Sequence, residues 1–189
     1  MRLNEIIEEQ QLITMWHGGR ELQYSYHEMR GNKSKQMEYG PGLYLTNYYE
    51  TARKYAKGGG KTFLVTFTRG TNIKDVAIET KIAFDFLNRN RFANKKALIK
   101  DIMDRYGTTI PAETLLNLMV NLDSMTPTTS AIFRQFLVEN GADYLVSENY
   151  GGWGDQTIVV IFNPKIITQV KPIAASEVAL DMRKLPVNI

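Results

Sequence analysis

Apolar residues change period from one stretch of this chain to the next, and the changes predict its elements. Residues 3–13 carry Leu3, Ile6, Ile7 and Leu12 among glutamates and glutamines, the spacing of an amphipathic helix with acidic first turns. A short strand is predicted over 14–17, a polar and charged loop over 20–38, and a strand of small and apolar residues over 42–45. Thr46 stands where it would cap a helix over 47–56, in which Ala52, Tyr55 and Ala56 share a face. Glycines at 58–60 end that helix. Phe63, Val65 and Phe67, alternating with Thr66 and Thr68, then predict a strand over 62–68, closed by Gly70.

After Gly70 the period becomes helical. Pieces are predicted over 82–88, 95–106 and 112–122, the second with Leu98, Ile99, Ile102 and Met103 at helical spacing, with Pro111 and Pro127 as punctuation. Another helix over 129–140 ends at Gly141, where a left-handed cap costs little. Strands over 143–147 and 157–162 flank a glycine-rich loop at 148–154, and Asn163-Pro164 stops the second. The remainder is expected to hold one strand and a short helix over 175–182. The whole is read as one α+β domain over 1–189, with an N-terminal helix and a helical insertion over about 80–140.

Composition narrows the chemistry. The chain has 189 residues, 43% of them hydrophobic, enough for one core. A net charge of +3 and a pI near 9.0, with the charges scattered, permit contact with nucleic acid or an acidic protein without arguing for it. The absence of cysteine removes thiolate nucleophiles, disulfides and zinc-cysteine sites. His17 and His27 are the two histidines and have no ligand spacing around them, so no metal is expected. No basic stretch precedes an apolar leader and no apolar run is long enough to span a bilayer, so a soluble, cytoplasmic protein is expected. Gly58-Gly59-Gly60-Lys61-Thr62 has the look of a phosphate-binding loop. It lacks the glycine that motif needs where Tyr55 stands, and its order is helix, glycines, strand.

Three segments carry candidate chemistry. They are Trp16-His17-Gly18-Gly19; Gly40-Pro41-Gly42-Leu43-Tyr44-Leu45-Thr46, followed by Ala52, Tyr55 and Ala56; and Asp155-Gln156 before Val159-Val160-Ile161-Phe162-Asn163-Pro164. In this order they resemble the His-Tyr branch of the ADP-ribosyltransferase superfamily, and the similar ADP-ribosyltransferase-like proteins of phages and mobile elements. The resemblance runs from residue 15 to 170, interrupted by the helical region. It implies a split pair of small mixed or antiparallel β-sheets with an NAD cleft between them. It also implies a mono-ADP-ribosyltransferase that moves ADP-ribose from NAD to a macromolecule, first of all a protein, with release of nicotinamide. In a phage setting the acceptor would be a host protein in the host cytoplasm.

By that resemblance His17 would bind the adenosine ribose hydroxyls and the Gly18 backbone would grip the carboxamide. Tyr44 would stack on the nicotinamide with Tyr55 as a second wall, and Gly19, Arg20, Gly42 and Thr46 would complete the NAD-binding set. The third catalytic position is open between Asp155 and Gln156, of which one faces inward if both are extended, with Glu148 as a further candidate. Asp155 would bring charge; Gln156 would bring only an amide. Glu148, Tyr150 and Trp153 lie in the loop where such enzymes recognise the acceptor. Two alternatives stand beside transfer to protein. One is a degenerate module that binds or inhibits a partner without catalysis, supported by Gln156. The other is a nucleic-acid ADP-ribosyltransferase, supported by the basic pI and the aromatic loop.

Overall fold

A computed structural model describes residues 11–19, 22, 39–122, 126–148 and 155–189. In chain order the first elements are β1 (Leu12–Gly19), β2 (Leu43–Thr46), α1 (Tyr49–Tyr55), β3 (Lys61–Thr68), β4 (Ala77–Glu79), α2 (Thr80–Arg89) and α3 (Lys95–Arg105). They are followed by β5 (Thr109–Pro111), α4 (Ala112–Asn121), α5 (Pro127–Glu139), β6 (Tyr144–Ser147), β7 (Ile158–Ile161) and β8 (Ile167–Ile173). The helix expected over 3–13 lies outside the described residues except at its end, where Leu12 and Ile13 open a strand instead. Every residue of β1 pairs with β3, from Leu12↔Thr68 to Gly19↔Lys61, and that ladder overrides the local helical spacing. The loop expected over 20–38 lies outside the described residues apart from Leu22.

Six strands form one sheet in the order β6-β7-β2-β1-β3-β8, with every neighbouring pair antiparallel. The joint in its middle is minimal: β1 and β2 share the single pair Trp16↔Thr46. The expected pair of sheets is therefore one sheet of two three-stranded halves, antiparallel throughout, hinged at that pair. In a flat sheet β3 and β6, four spacings apart, would be ~19 Å from each other. Yet the rings of Phe67 on β3 and Tyr144 on β6 have centroids 6.3 Å apart. The halves are folded back so that their inner faces meet. The core between them takes Ile13 and Met15 from β1, Leu43 and Leu45 from β2, Val65 and Phe67 from β3, and Val159 and Ile161 from β7.

Each half has its own cover on the outer face. Helices α2 to α5 lie over β6-β7-β2, where Leu145, Ile158 and Val160 join Leu98, Leu115 and Phe133 in a second core. The short β4-β5 ladder, centred on Ile78↔Ile110, belongs to the same region and replaces predicted connections. Thr126 caps α5 with a reciprocal capping box, and Gly141 follows it with φ +93. Over β1-β3-β8 lies α1, with Trp16, Tyr49, Ala52 and Ile173 in a third core. The helix expected over 175–182 is instead two 3-10 turns, Ala175–Glu177 and Asp181–Arg183. The segment is held by backbone contacts to other elements: Leu185 N–H donates to Asn47 C=O, and the Trp16 indole N–H donates to Met182 C=O at 2.8 Å. Among the described residues no helix is long and apolar enough to cross a membrane.

The seat of α1 depends on one missing carbon. A Cβ on Gly18 would lie 1.7 Å from the Ala52 carbonyl oxygen, so the helix backbone rests directly on β1. Gly18→Ala should therefore lower stability by about 1–3 kcal/mol through overpacking. Gly107→Ala, where a Cβ meets nothing within 4 Å, should stay within about 0.5 kcal/mol of the parent. Urea unfolding of the two variants measures this, and equal midpoints would refute the contact.

Candidate functional site

Beyond the Trp16↔Thr46 pair, β1 continues into His17, Gly18 and Gly19 while β2 diverges from it. Continued in register, Gly18 would face Tyr44, but the ladder stops. A side chain spans the opening: His17 Nδ1 lies 2.9 Å from the Tyr44 carbonyl oxygen. Because a carbonyl only accepts, Nδ1 carries the proton and Nε2 of the neutral ring is left as an acceptor. Phe63 flanks the imidazole, with centroids 6.1 Å apart, and a Cβ on Gly19 would come within 2.8 Å of Nε2. Glycine at 19 keeps the rotamer possible and Nε2 approachable. Burial pushes the His17 pKa below its ordinary value, and the bond to Tyr44 opposes this only in part.

On the other side of β2, Gln156 is 6% exposed and turned inward. Its amide nitrogen donates to Thr51 Oγ1 on α1 at 3.1 Å and to Thr46 Oγ1 at 3.4 Å. What turns it is Asn47. The Asn47 side chain donates to the Asp155 carbonyl at 3.1 Å and accepts from the Thr157 N–H at 2.9 Å, so both peptide neighbours of Gln156 are pinned. The Asn47 N–H adds a bond to the Thr157 carbonyl at 3.3 Å. Asp155 accordingly points the other way, into solvent, where its carboxylate accepts from the Tyr48 hydroxyl and the Lys184 ammonium. Those two partners, Lys184 first, hold its pKa below the usual carboxylate range, and the bonds to Asp155, first, and to Tyr48 raise that of Lys184.

Tyr44 is half-buried against the helical core. Its hydroxyl donates to the Gly40 carbonyl at 2.8 Å and accepts from the Tyr39 N–H at 3.1 Å. Strand alternation puts it on the face opposite Leu43 and Leu45, the same face as Thr46. Gly42 is tight because a Cβ there would meet the Ile161 carbonyl oxygen at 2.6 Å, and Gly18 because one there would meet the Ala52 carbonyl oxygen. Thr46 does not cap α1. The N-cap is Tyr48, whose side chain makes no cap bond, and Thr46 Oγ1 accepts from the Tyr48 N–H at 3.2 Å instead. Tyr55, at the end of α1, is 66% exposed, whereas Ala52 one turn earlier is buried. Glu148 is exposed at the end of β6. Arg20, Tyr150 and Trp153 lie outside the described residues.

Along β2 the structure thus joins His17 to the Tyr44 carbonyl and Gln156 to the Thr46 hydroxyl, with the Tyr44 ring on the helical core, while Asp155 turns to Tyr48 and Lys184 and Glu148 is exposed beyond β6. Sequence reasoning missed Asn47 and Thr51. The available signal was polar residues in a segment destined for burial: Thr46, Asn47 and Gln156 are 4%, 4% and 6% exposed.

Two measurements test this geometry. Asn47→Ala leaves the Thr157 N–H and the Asp155 carbonyl without their side-chain partner and should cost about 1–3 kcal/mol in unfolding experiments. For His17, the folded pKa is depressed, so as pH falls the unfolded chain takes up the proton first. The stability contributed by the neutral ring is present above about pH 6.5 and is lost as pH drops through the folded pKa. The stability advantage of the parent over His17→Gln should shrink on acidification; a difference constant with pH would contradict the burial of the ring.

No protein-family model, no curated protein and no solved structure matches the chain.

Proposed function

We propose that this domain binds NAD where β1 and β2 part and transfers ADP-ribose from it to a macromolecular acceptor, a protein in the first instance. The observation that supports the reading is the convergence on β2 of His17, Tyr44 and Gln156, the three residues that the resemblance to ADP-ribosyltransferases singled out. They come from segments more than a hundred residues apart at the extremes, 17 against 156. The donor and acceptor set fits a ribose. His17 Nε2 accepts from a hydroxyl, and the Gln156 oxygen is an acceptor once its nitrogen is committed to Thr46 and Thr51.

In the reaction the bond between ribose C1′ and the nicotinamide nitrogen breaks, and its electron pair leaves with nicotinamide. A nucleophile of the acceptor forms the new bond to C1′ and loses its proton. Positive charge develops on the sugar as the bond stretches, so a site gains by holding the ribose rigidly and by aiming acceptor dipoles at it. Gln156 supplies a fixed dipole and no net charge. Asp155, the candidate for that charge, is turned toward Tyr48 and Lys184 and takes no part in this scheme.

That missing carboxylate favours a second reading, an NAD-binding module that does not catalyse transfer. Calorimetry with NAD, followed by incubation with labelled NAD and cell lysate, separates the two. His17→Ala and Gln156→Ala should weaken NAD binding by about tenfold or more, whereas Asp155→Asn should leave it unchanged. Label on a discrete acceptor, lost in Gln156→Ala, supports transfer. Binding without label supports the module, and no heat with NAD ends both readings.

A further inference from the structure

A depression of about 660 Å³ opens along α1 on the side away from Gln156. Arg53, Lys57 and Lys61 contribute to its lining, together with Ala56, Pro172, Ala174 and Ala175. Thr51, which touches Gln156, is two residues from Arg53, ~200° round the helix, so the depression and the β1-β2 opening occupy different flanks of α1. Its volume is in the range of sites that hold ligands.

Its chemistry has two parts. The floor between α1 and the end of β8 is small and aliphatic, with Ile173 buried at its base. The rim is cationic. Lys57 and Lys61 stand exposed on either side of the three-glycine turn, in which a Cβ on Gly58 or Gly59 would meet nothing within 4 Å. Arg53 has a carboxylate partner in Glu50 at 3.6 Å, but Glu50 is shared with Arg183 at 3.1 Å, and both pairs are exposed and therefore weak. Glu177 is the one acid in the lining among the described residues, and it accepts from the Ala174 N–H at 2.9 Å.

An anion is the complement of that rim, and the floor decides which kind. Single-stranded nucleic acid is gripped by stacking its bases on exposed aromatic rings. Tyr49 is the aromatic residue of the lining; it is 3% exposed and meets Trp16 edge-on at 5.1 Å. The floor instead suits an aliphatic side chain. We propose that this groove docks an acidic peptide segment of a partner protein, with one apolar residue seated on Ala56, Ala174 and Ala175 and flanking carboxylates against Lys57, Lys61 and Arg53. The proposal is independent of NAD binding.

Selection of short random peptides displayed on phage, with counter-selection on the Lys57→Glu/Lys61→Glu variant, tests it. Enriched peptides should carry Asp or Glu on both sides of an apolar residue. Their affinity, read by fluorescence anisotropy, should fall about tenfold or more in the charge-reversed protein and weaken with added salt. Ala175→Trp, which fills the floor without changing charge, should lose binding too. All three substituted positions are exposed, and unchanged unfolding midpoints would verify that the variants fold. Failure to enrich any peptide, enrichment without acidic residues, equal binding to the variants, or tighter binding of labelled oligodeoxythymidine than of the best peptide would overturn the proposal.

Discussion

The pair Trp16↔Thr46 is the contact on which the architecture turns. Had β1 and β2 zipped along their full length, the six strands would have formed a continuous twisted sheet, and Phe67 could not have met Tyr144. Limited to one rung, the joint bends, the halves close on a shared core, and the ends of β1 and β2 separate at the far side of the hinge. The Trp16 side chain reinforces the position its backbone occupies. It is wholly buried, meets Tyr49 edge-on, and donates its indole hydrogen bond to the segment that follows β8. A large aromatic residue with one polar handle is well suited to this, since it fills the space under α1 and fixes a direction at the same time.

Beside the hinge is a small polar knot of Thr46, Asn47, Thr51 and Gln156. Buried polar groups cost free energy unless each finds a partner, and a network that is only partly satisfied is worse than an apolar core. Here the bonds close on one another. Asn47 joins the end of β2 to the approach to β7, and the two threonine hydroxyls receive the amide it presents. Such a knot has one good arrangement and holds its members stiffly. That is the property wanted of side chains that orient a ligand.

Much of this was legible in the sequence, and the gaps have physical causes. Local alternation gave β3 and a continuous apolar run gave β7, each within a residue or so, and dense apolar spacing gave α3, α4 and α5. The strands β4 and β5 were missed because three residues show no period. The turns at Ala175–Glu177 and Asp181–Arg183 were read as a helix, but their N–H groups close short 3-10 turns, Glu177 donating to the Ala174 carbonyl and Met182 to the Ala179 carbonyl, and the Met182 carbonyl accepts from the Trp16 indole. At the site, the resemblance named His17, Tyr44 and the 155–156 pair as candidates. The choice between Asp155 and Gln156 was not legible, since it is made by Asn47, more than a hundred residues away. What Gly18 packs against was not legible for a similar reason: its neighbour is the backbone of a helix that comes later in the chain.

The long span of the indole bond from Trp16 to Met182 also sets the order in which the molecule can be completed. Domains emerge from the ribosome N-terminal end first. When β1 and β3 have been made and can pair, β7 and the segment around Asn47's partners do not yet exist. A nascent chain can therefore hold a β1-β3 hairpin and early helices while its hinge is unsupported and its polar knot is open. The opening between β1 and β2 takes its final form only after translation has passed residue 182, so any function seated there is withheld until nearly all of the described chain has been synthesised.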